Sequence, residues 1–232
     1  MKLTLVRHAT LVLETSLGRV LVDPMLAAAG TAPPIEDTPN QVRNPLVDLP
    51  LPAEEVVAGV DLCIVTHLHE DHFDEVAAEL LPRDLPILTQ PESADELREL
   101  GFTDVRTRHE RIAMTRGRHG TGDIGAAMGP VSGWVIDGTY VAGDTIWCDE
   151  VAEALDKHRP SAVVVNGGAA RFTVGDPIVM DVGDVRRVRE ATAARIVVVH
   201  LEAINHCLEP RDAYGGLPGV HAPADGETIE LP

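Results

Sequence analysis

The chain has 232 residues, of which 44% are hydrophobic and 24% charged; it can bury a sizeable core and is neither disordered nor collagen-like. Thirty-seven Asp and Glu against 19 Lys and Arg leave a formal charge of −18, which repels nucleic acid and anionic membranes unless cations or a basic patch compensate. Residues 1–8 read as a strand interrupted by charge, not a secretory signal, and no apolar run approaches the roughly 18 residues needed to span a bilayer. The three scattered cysteines, Cys63, Cys148 and Cys207, fit a reducing compartment better than a disulfide framework. The expectation is a soluble, cytoplasmic protein with a small-molecule substrate and no membrane or nucleic-acid partner; an oligomer is compatible with it.

Taken in chain order, residues 2–8 alternate polar and apolar side chains, residues 10–15 are β-branched and aliphatic, and residues 18–23 follow a turn. The chain therefore opens as a sheet. Between Pro24 and Pro52 come seven prolines with little periodicity, which predicts a long surface loop that shapes access to a site. Alternating elements follow. Buried strands are expected over 61–66, 162–166 and 195–200, a short strand over 86–89, and helices over 73–80, 92–100, 150–158 and 182–191. Residues 131–136, Asp137-Gly138 and residues 139–142 form a tight hairpin, because Asp-Gly suits the primed turns. Meander strands plus α/β units in both halves, with no linker, predict one domain over residues 1–232, built from two packed sheets with helices outside.

Ten histidines occur, and three of them fall in Thr66-His67-Leu68-His69-Glu70-Asp71-His72, directly after a predicted buried strand. Loops at the carboxyl ends of strands gather functional groups, and neutral imidazole and carboxylate are ligands for zinc, manganese or iron. His67 and His69, two apart on an extended segment, can point the same way, while Asp71 and His72 can turn towards a second ion. The plainer alternative is a polar turn with Asp71 capping the next helix, but a cap requires no histidines. Later strand ends supply more donors: His119 among the glycines of residues 116–122, Asp144 just past the hairpin, and His200 ending the strand 195–200. Singly, these read as a surface-loop histidine, a helix N-cap and a satisfied core imidazole. Together with the first cluster they make five histidines and two aspartates at loop-facing strand ends.

Other residues carry two readings each. His206 can replace His200 as a ligand, protonate a leaving group or simply pack; His200 is preferred as ligand because it ends a buried strand. Arg171 suits a phosphate or carboxylate, or an ordinary surface ion pair. His8 lines the site or makes a core hydrogen bond. Arg106, Arg108, Arg111, Arg116 and Arg118 form a solvated strand face or steer an anion, and His109, His158 and His221 are read as surface residues.

Residues 66–72 match the T-H-x-H-x-D-H signature of the metallo-β-lactamase superfamily, and His119, Asp144 and His200 follow in that superfamily's order. Arg7-His8-Ala9-Thr10, followed by Val22-Asp23-Pro24, resembles the branch of L-ascorbate-6-phosphate lactonase-like and related phosphodiesterase-type hydrolases. The likeness runs from about residue 2 to residue 207. It implies an α/β (α+β) fold, a four-layer αββα sandwich, with two divalent ions, zinc or manganese, at one edge of the sheets. It further implies that His67, His69 and His119 hold one ion, that Asp71, His72 and His200 hold the other, and that Asp144 bridges them. Asp23 would accept a hydrogen bond from a ligand imidazole and fix its tautomer, with Thr66 in a similar orienting part. The implied activity is hydrolysis of an ester, lactone or phosphoester bond in a small, anionic molecule by a hydroxide held at the dinuclear site. In that reading Asp71 also orients the nucleophile or takes its proton, His206 protonates the leaving group and Arg171 binds the anion. Three rivals remain: a nucleic-acid phosphodiesterase, which the charge of −18 opposes; an iron redox enzyme, opposed by His69 where the flavodiiron pattern has Glu; and a non-catalytic metal-binding protein, opposed by the intact ligand set.

Overall fold

The aliphatic runs form strands, and their alternation decides which core each side chain enters. β1 (Lys2–Arg7), β2 (Thr10–Thr15) and β3 (Gly18–Val22) make an antiparallel meander. After the proline-rich loop come α1 (Ala53–Val57), β4 (Leu62–Val65), α2 (Glu75–Leu80), β5 (Ile87–Thr89), α3 (Ala94–Glu99) and β6 (Val105–Arg106). The second half runs β7 (Ile112–Arg116), α4 (Gly122–Met128), β8 (Ser132–Ile136), β9 (Thr139–Val141) and α5 (Asp149–His158). It closes with β10 (Ala162–Asn166), α6 (Val182–Ala191), β11 (Arg195–Val199), β12 (Val220–His221) and β13 (Thr228–Glu230). The computed structural model describes residues 1–232 and arranges the strands as a seven-stranded sheet, β13-β1-β2-β3-β4-β5-β6, and a six-stranded sheet, β12-β11-β10-β9-β8-β7. In each, an antiparallel half gives way to a parallel one, over β3 to β6 and over β9 to β12.

Parallel pairs need crossover connections, and here helices supply most of them and cover the outer faces. Leu3, Leu13, Val22 and Ile64 of the first sheet meet Trp134, Val164 and Val197 of the second in one core between the sheets. On the far side of the first sheet, Leu21, Cys63 and Val65 pack with Ala77, Leu81 and Leu97. On the far side of the second, Val163, Val165 and Ile196 pack with Val151, Leu155 and Val188. The order is helix, sheet, sheet, helix. Burial on both faces is why the central strands read as unbroken aliphatic runs, and each valine or leucine so enclosed contributes roughly 1.5–3 kcal/mol of transfer free energy.

Most expected elements form, with shifted ends. Asp137 and Gly138 have φ of 46° and 77°, the pair of positive values that a type I′ turn requires. Helix α2 starts at Glu75 and not at residue 73, because Asp74 is its cap, its side chain accepting from the Ala77 N–H. Helix α3 is shorter than the 92–100 span because its first turn, Pro91–Ser93, is a 3₁₀ turn. Helices α1 and α4 form where neither was expected. The segment between β3 and α1 holds no strand, only an isolated bridge between Ala32 and Asn44. No helix is long and apolar enough to cross a membrane.

Candidate metal centre

Strand ends position the donors. β4 stops at Val65 and releases the turn carrying Thr66, His67, His69, Asp71 and His72. Because β9, β10 and β11 are parallel, their carboxyl ends line up, and Asp144, Asn166 and His200 meet along one edge. The Asn166 side chain donates to Asp144 Oδ1 at 2.6 Å. His8, Asp23 and His200, each just past the end of a strand, have φ of 58°, 45° and 67°. Left-handed backbone at a non-glycine residue costs of order 1 kcal/mol or more, and such strain gathers at functional sites.

The hydrogen bonds fix which nitrogen of each imidazole faces inwards. Asp23 accepts from the Thr66 N–H and hydroxyl, both at 2.8 Å, and from His72 Nδ1 at 2.8 Å. With the Thr66 proton committed to Asp23, His67 Nδ1 must donate to Thr66 Oγ1, 3.0 Å away. His119 Nδ1 donates to the Ile178 carbonyl at 2.8 Å, and His200 Nδ1 faces Cys207 Sγ at 3.5 Å. Each ring is thereby left with Nε2 pointing into the cluster. His67 Nε2 and His69 Nδ1 lie 2.9 Å apart.

The donors fall into groups whose ligand atoms all lie within 4.8 Å of one another: His67, His69 and His119; His8, Asp71, His72 and His200; and His67, His72 and Asp144. Asp144 spans the first two. Its Oδ2 is 3.4 Å from His119 Nε2, and its Oδ1 is 3.3 Å from His72 Nε2 and 3.4 Å from His200 Nε2. His72 Nε2 and His200 Nε2 are nevertheless buried without a hydrogen bond. A lone pair aimed at a carboxylate is repelled unless a proton or a cation lies between them, so the donor chemistry fits divalent ions.

Electrostatics points the same way. Burial holds His8 neutral, its pKa lowered to about 3 with help from His200; burial likewise lowers His67 and His119. His72 and His200 go the other way. Burial opposes their charge, but Asp144, with Asp71 and Asp23 beside His72 and Cys207 beside His200, raises both well above the ordinary imidazole value. Asp71 and Asp144 are held well below the usual carboxylate range, where the charge on His72 and His200 outweighs burial. Positive charge is therefore favoured between these carboxylates, as protons in the metal-free chain and as metal ions in their place.

Neither aspartate caps a helix: Asp74 caps α2, and the N-cap of α5 is Cys148. A cavity of about 740 Å³ opens on the cluster and is lined by His69, Asp71, His119, Asp144 and His206 on its polar side. His206 belongs to none of the donor groups. It is buried, its Nδ1 has no partner, and burial lowers its pKa to about 4. Arg171 is half-buried, donates to the Ala169 carbonyl and is not part of the cavity wall. In the basic run, Arg106, Arg111, Arg116 and Arg118 are paired with Asp104, Asp137, Glu92 and Glu150. His8 reaches Asp71 Oδ2 at 3.1 Å and stacks on His200 with ring centroids 3.6 Å apart. Asn166 escaped the sequence reading; its position at the end of a buried strand, next to the glycine pair of residues 167 and 168, was the only signal.

Comparison with known proteins agrees with this geometry. The family model described as "Beta-lactamase superfamily domain" matches residues 18–201. UPF0173 protein YddR of Bacillus subtilis is 36% identical across 98% of this chain and 99% of its own length. A solved isothiocyanate hydrolase from Delia radicum gut bacteria superposes with a TM-score of 0.92 at 36% identity, covering 99% of both chains. A possible metal-dependent hydrolase from Veillonella parvula gives a TM-score of 0.92 at 32% identity over 99% of this chain and 98% of its own. The chain belongs to the beta-lactamase superfamily domain family and is a metal-dependent hydrolase of metallo-β-lactamase fold.

Proposed function

We propose that this hydrolase uses two divalent ions, zinc or manganese, to cleave a small uncharged molecule that carries an apolar substituent next to an electrophilic carbon–heteroatom double bond, with an isothiocyanate as the preferred type. The observation that carries the reading is the cavity wall. Met25, Ile35, Leu68, Phe73, Met128 and Phe172 line it, Glu70 and Glu75 stand on it, and no Lys or Arg does. Such a wall desolvates an apolar group favourably and repels a phosphate or carboxylate. The expected anionic ester, lactone or phosphoester rested on the branch resemblance and on Arg171, and Arg171 lies off the wall, as do the arginines of the basic run. A solved relative at 36% identity is an isothiocyanate hydrolase, which supports the same substrate type. A nucleic-acid substrate is disfavoured by the acidic wall and the charge of −18. The three unpaired cysteines suit a reducing compartment, so the cytoplasm is the proposed location.

In this reading His67, His69 and His119 hold one ion, Asp71, His72 and His200 the second, and Asp144 faces both. When bound, such ions lower the pKa of a water to about 7 and stabilise negative charge on the attacked group. The chain's own residues do the rest. Asp23 and Thr66 lock the tautomers of His72 and His67. Asp71, ionised and lining the cavity, orients the attacking water and accepts its proton. His206, neutral at pH 7, hydrogen-bonds the departing nitrogen and relays a proton to it. The balance is R–N=C=S plus water to R–NH₂ plus COS: a C–O bond forms, the C–N bond breaks, and both water protons end on nitrogen. The test is a panel of an arylalkyl isothiocyanate, a neutral lactone, a phosphate monoester and a phosphodiester, with purified protein loaded with zinc or with manganese. Amine release from the isothiocyanate, abolished in Asp144→Asn, is expected; turnover of a phosphoester with the isothiocyanate untouched would overturn the reading.

A further inference from the structure

The cavity wall is only as selective as residues 31–45, and these form no helix or strand, only a bridge between Ala32 and Asn44. A stretch of this kind needs its polar groups satisfied to hold one shape. A single side chain does much of this. Asn205 is 1% exposed. Its Oδ1 accepts from the Ile35 N–H at 3.1 Å and from Asn44 Nδ2 at 2.8 Å. Its Nδ2 donates to Thr38 Oγ1 at 2.7 Å, to the Asn40 carbonyl at 2.5 Å and to the Ile35 carbonyl at 3.1 Å. The Asn205 N–H donates to Asn44 Oδ1 at 2.8 Å. Thr38 and Asn44 are buried with it, and the Leu46 N–H bonds the Ala203 carbonyl at 2.7 Å.

The neighbours give this hub its meaning. Ile204 and His206, on either side of Asn205, line the cavity, and so do Pro33, Pro34, Ile35 and Pro45 of the loop. We infer that Asn205 is a positioning residue that clamps residues 31–45 into a fixed cavity wall and so sets selectivity for the apolar substituent. Its carboxamide is required chemically. Oδ1 faces two N–H donors and Nδ2 faces oxygens only, so an isosteric carboxylate would keep the shape, set an acceptor against three oxygens and bury a charge.

The test compares wild type, Asn205→Asp, Asn205→Ala and Thr38→Val, all metal-loaded. The readouts are metal content, limited proteolysis, and kinetics with an arylalkyl and a methyl isothiocyanate. The kinetic arm rests on the isothiocyanate reading; the proteolysis arm does not. Both Asn205 variants are expected to retain their metal and to be cleaved within residues 31–45 about tenfold faster or more, the factor for losing one to two net hydrogen bonds. KM for the arylalkyl substrate rises about tenfold while kcat stays within about twofold, so its advantage over the methyl compound shrinks. Thr38→Val, which removes one acceptor of the hub, changes the same readouts less. Unchanged cleavage in both Asn205 variants overturns the inference, as does a general loss of metal and of thermal midpoint, which would make Asn205 a support of the whole fold. Failure of wild type to consume either isothiocyanate counts against the proposed function alone, and proteolysis then decides the role of Asn205.

Discussion

Asp144 is where the two donor groups meet, each carboxylate oxygen facing a different set of imidazoles. His69 belongs to one group only. The two residues should therefore fail differently. Asp144→Asn is expected to weaken both ions and His69→Ala only one, each by about 10-fold or more. Elemental analysis after equilibration with a competing chelator reads the difference, and equal stoichiometry in the two variants would contradict the assignment. His206 gives a residue-level test in the metal-free protein. Its folded pKa of about 4 lies below the roughly 6.5 of an unfolded imidazole. The unfolded chain thus binds more protons between those values, and stability, complete above pH 6.5, is lost as pH falls towards 4. His206→Gln should flatten that acid limb by up to about one proton in the slope of unfolding free energy against pH. An unchanged slope in a denaturation series would show that His206 is not buried neutral.

At the scale of elements, the end of β9 is the most constrained feature of the centre. Gly143 has φ of +69°, and a Cβ there would lie 2.6 Å from the Ser132 carbonyl oxygen and 3.4 Å from Thr66. Gly143→Ala is expected to cost about 1–3 kcal/mol in stability through strain and clash. It should also weaken metal binding, because the displaced residue carries Asp144. Denaturation and metal titration of one sample check both, and a stable variant with full metal content would show that the loop relaxes freely. The same strand ends explain what the sequence could disclose. Val163, Val164 and Val165 are buried on both faces of a sheet, and such runs announce themselves. The turn at residues 66–72 combines residue types that a cap does not need, so its chemistry was legible too. Helix α4 was not: it contains Gly122 and Gly125, poor helix formers, and Gly125 is there because a Cβ would meet the Gly120 carbonyl oxygen at 2.6 Å. The cavity wall was equally hidden. Pro33, Ile35 and Phe172 share no period, and only tertiary packing brings them to face the donors. Arg171, which is not part of the cavity wall, left two readings open in the sequence, since a guanidinium near a glycine turn carries no sign of whether it faces the site.

The whole molecule is two sheets held by one apolar core, and the donors are divided between them. His67, His69, Asp71 and His72 leave from β4 in the first sheet; His119, Asp144 and His200 follow β7, β9 and β11 in the second. Ions bound among them would cross-link the halves at the edge where both sheets end in loops. Without them, Asp71 and Asp144 confront each other across His72 and His200, within an already self-repelling chain of charge −18. Metal binding is thus linked to folding: a ligand at 100 times its Kd adds about 2.7 kcal/mol of stability. For a chain of 150–250 residues each kcal/mol is worth roughly 2–4 °C. Chelation is expected to lower the thermal midpoint by about 5–10 °C, with one ion added back restoring part of it and excess metal the remainder. Amide exchange should rise in the loops after β4 and after β9 and β11 together, because the link between sheets is lost on both sides at once. If exchange rose in one half alone, or if the midpoint ignored chelation altogether, the ions would not be joining the sheets and the donors would have to serve one half independently.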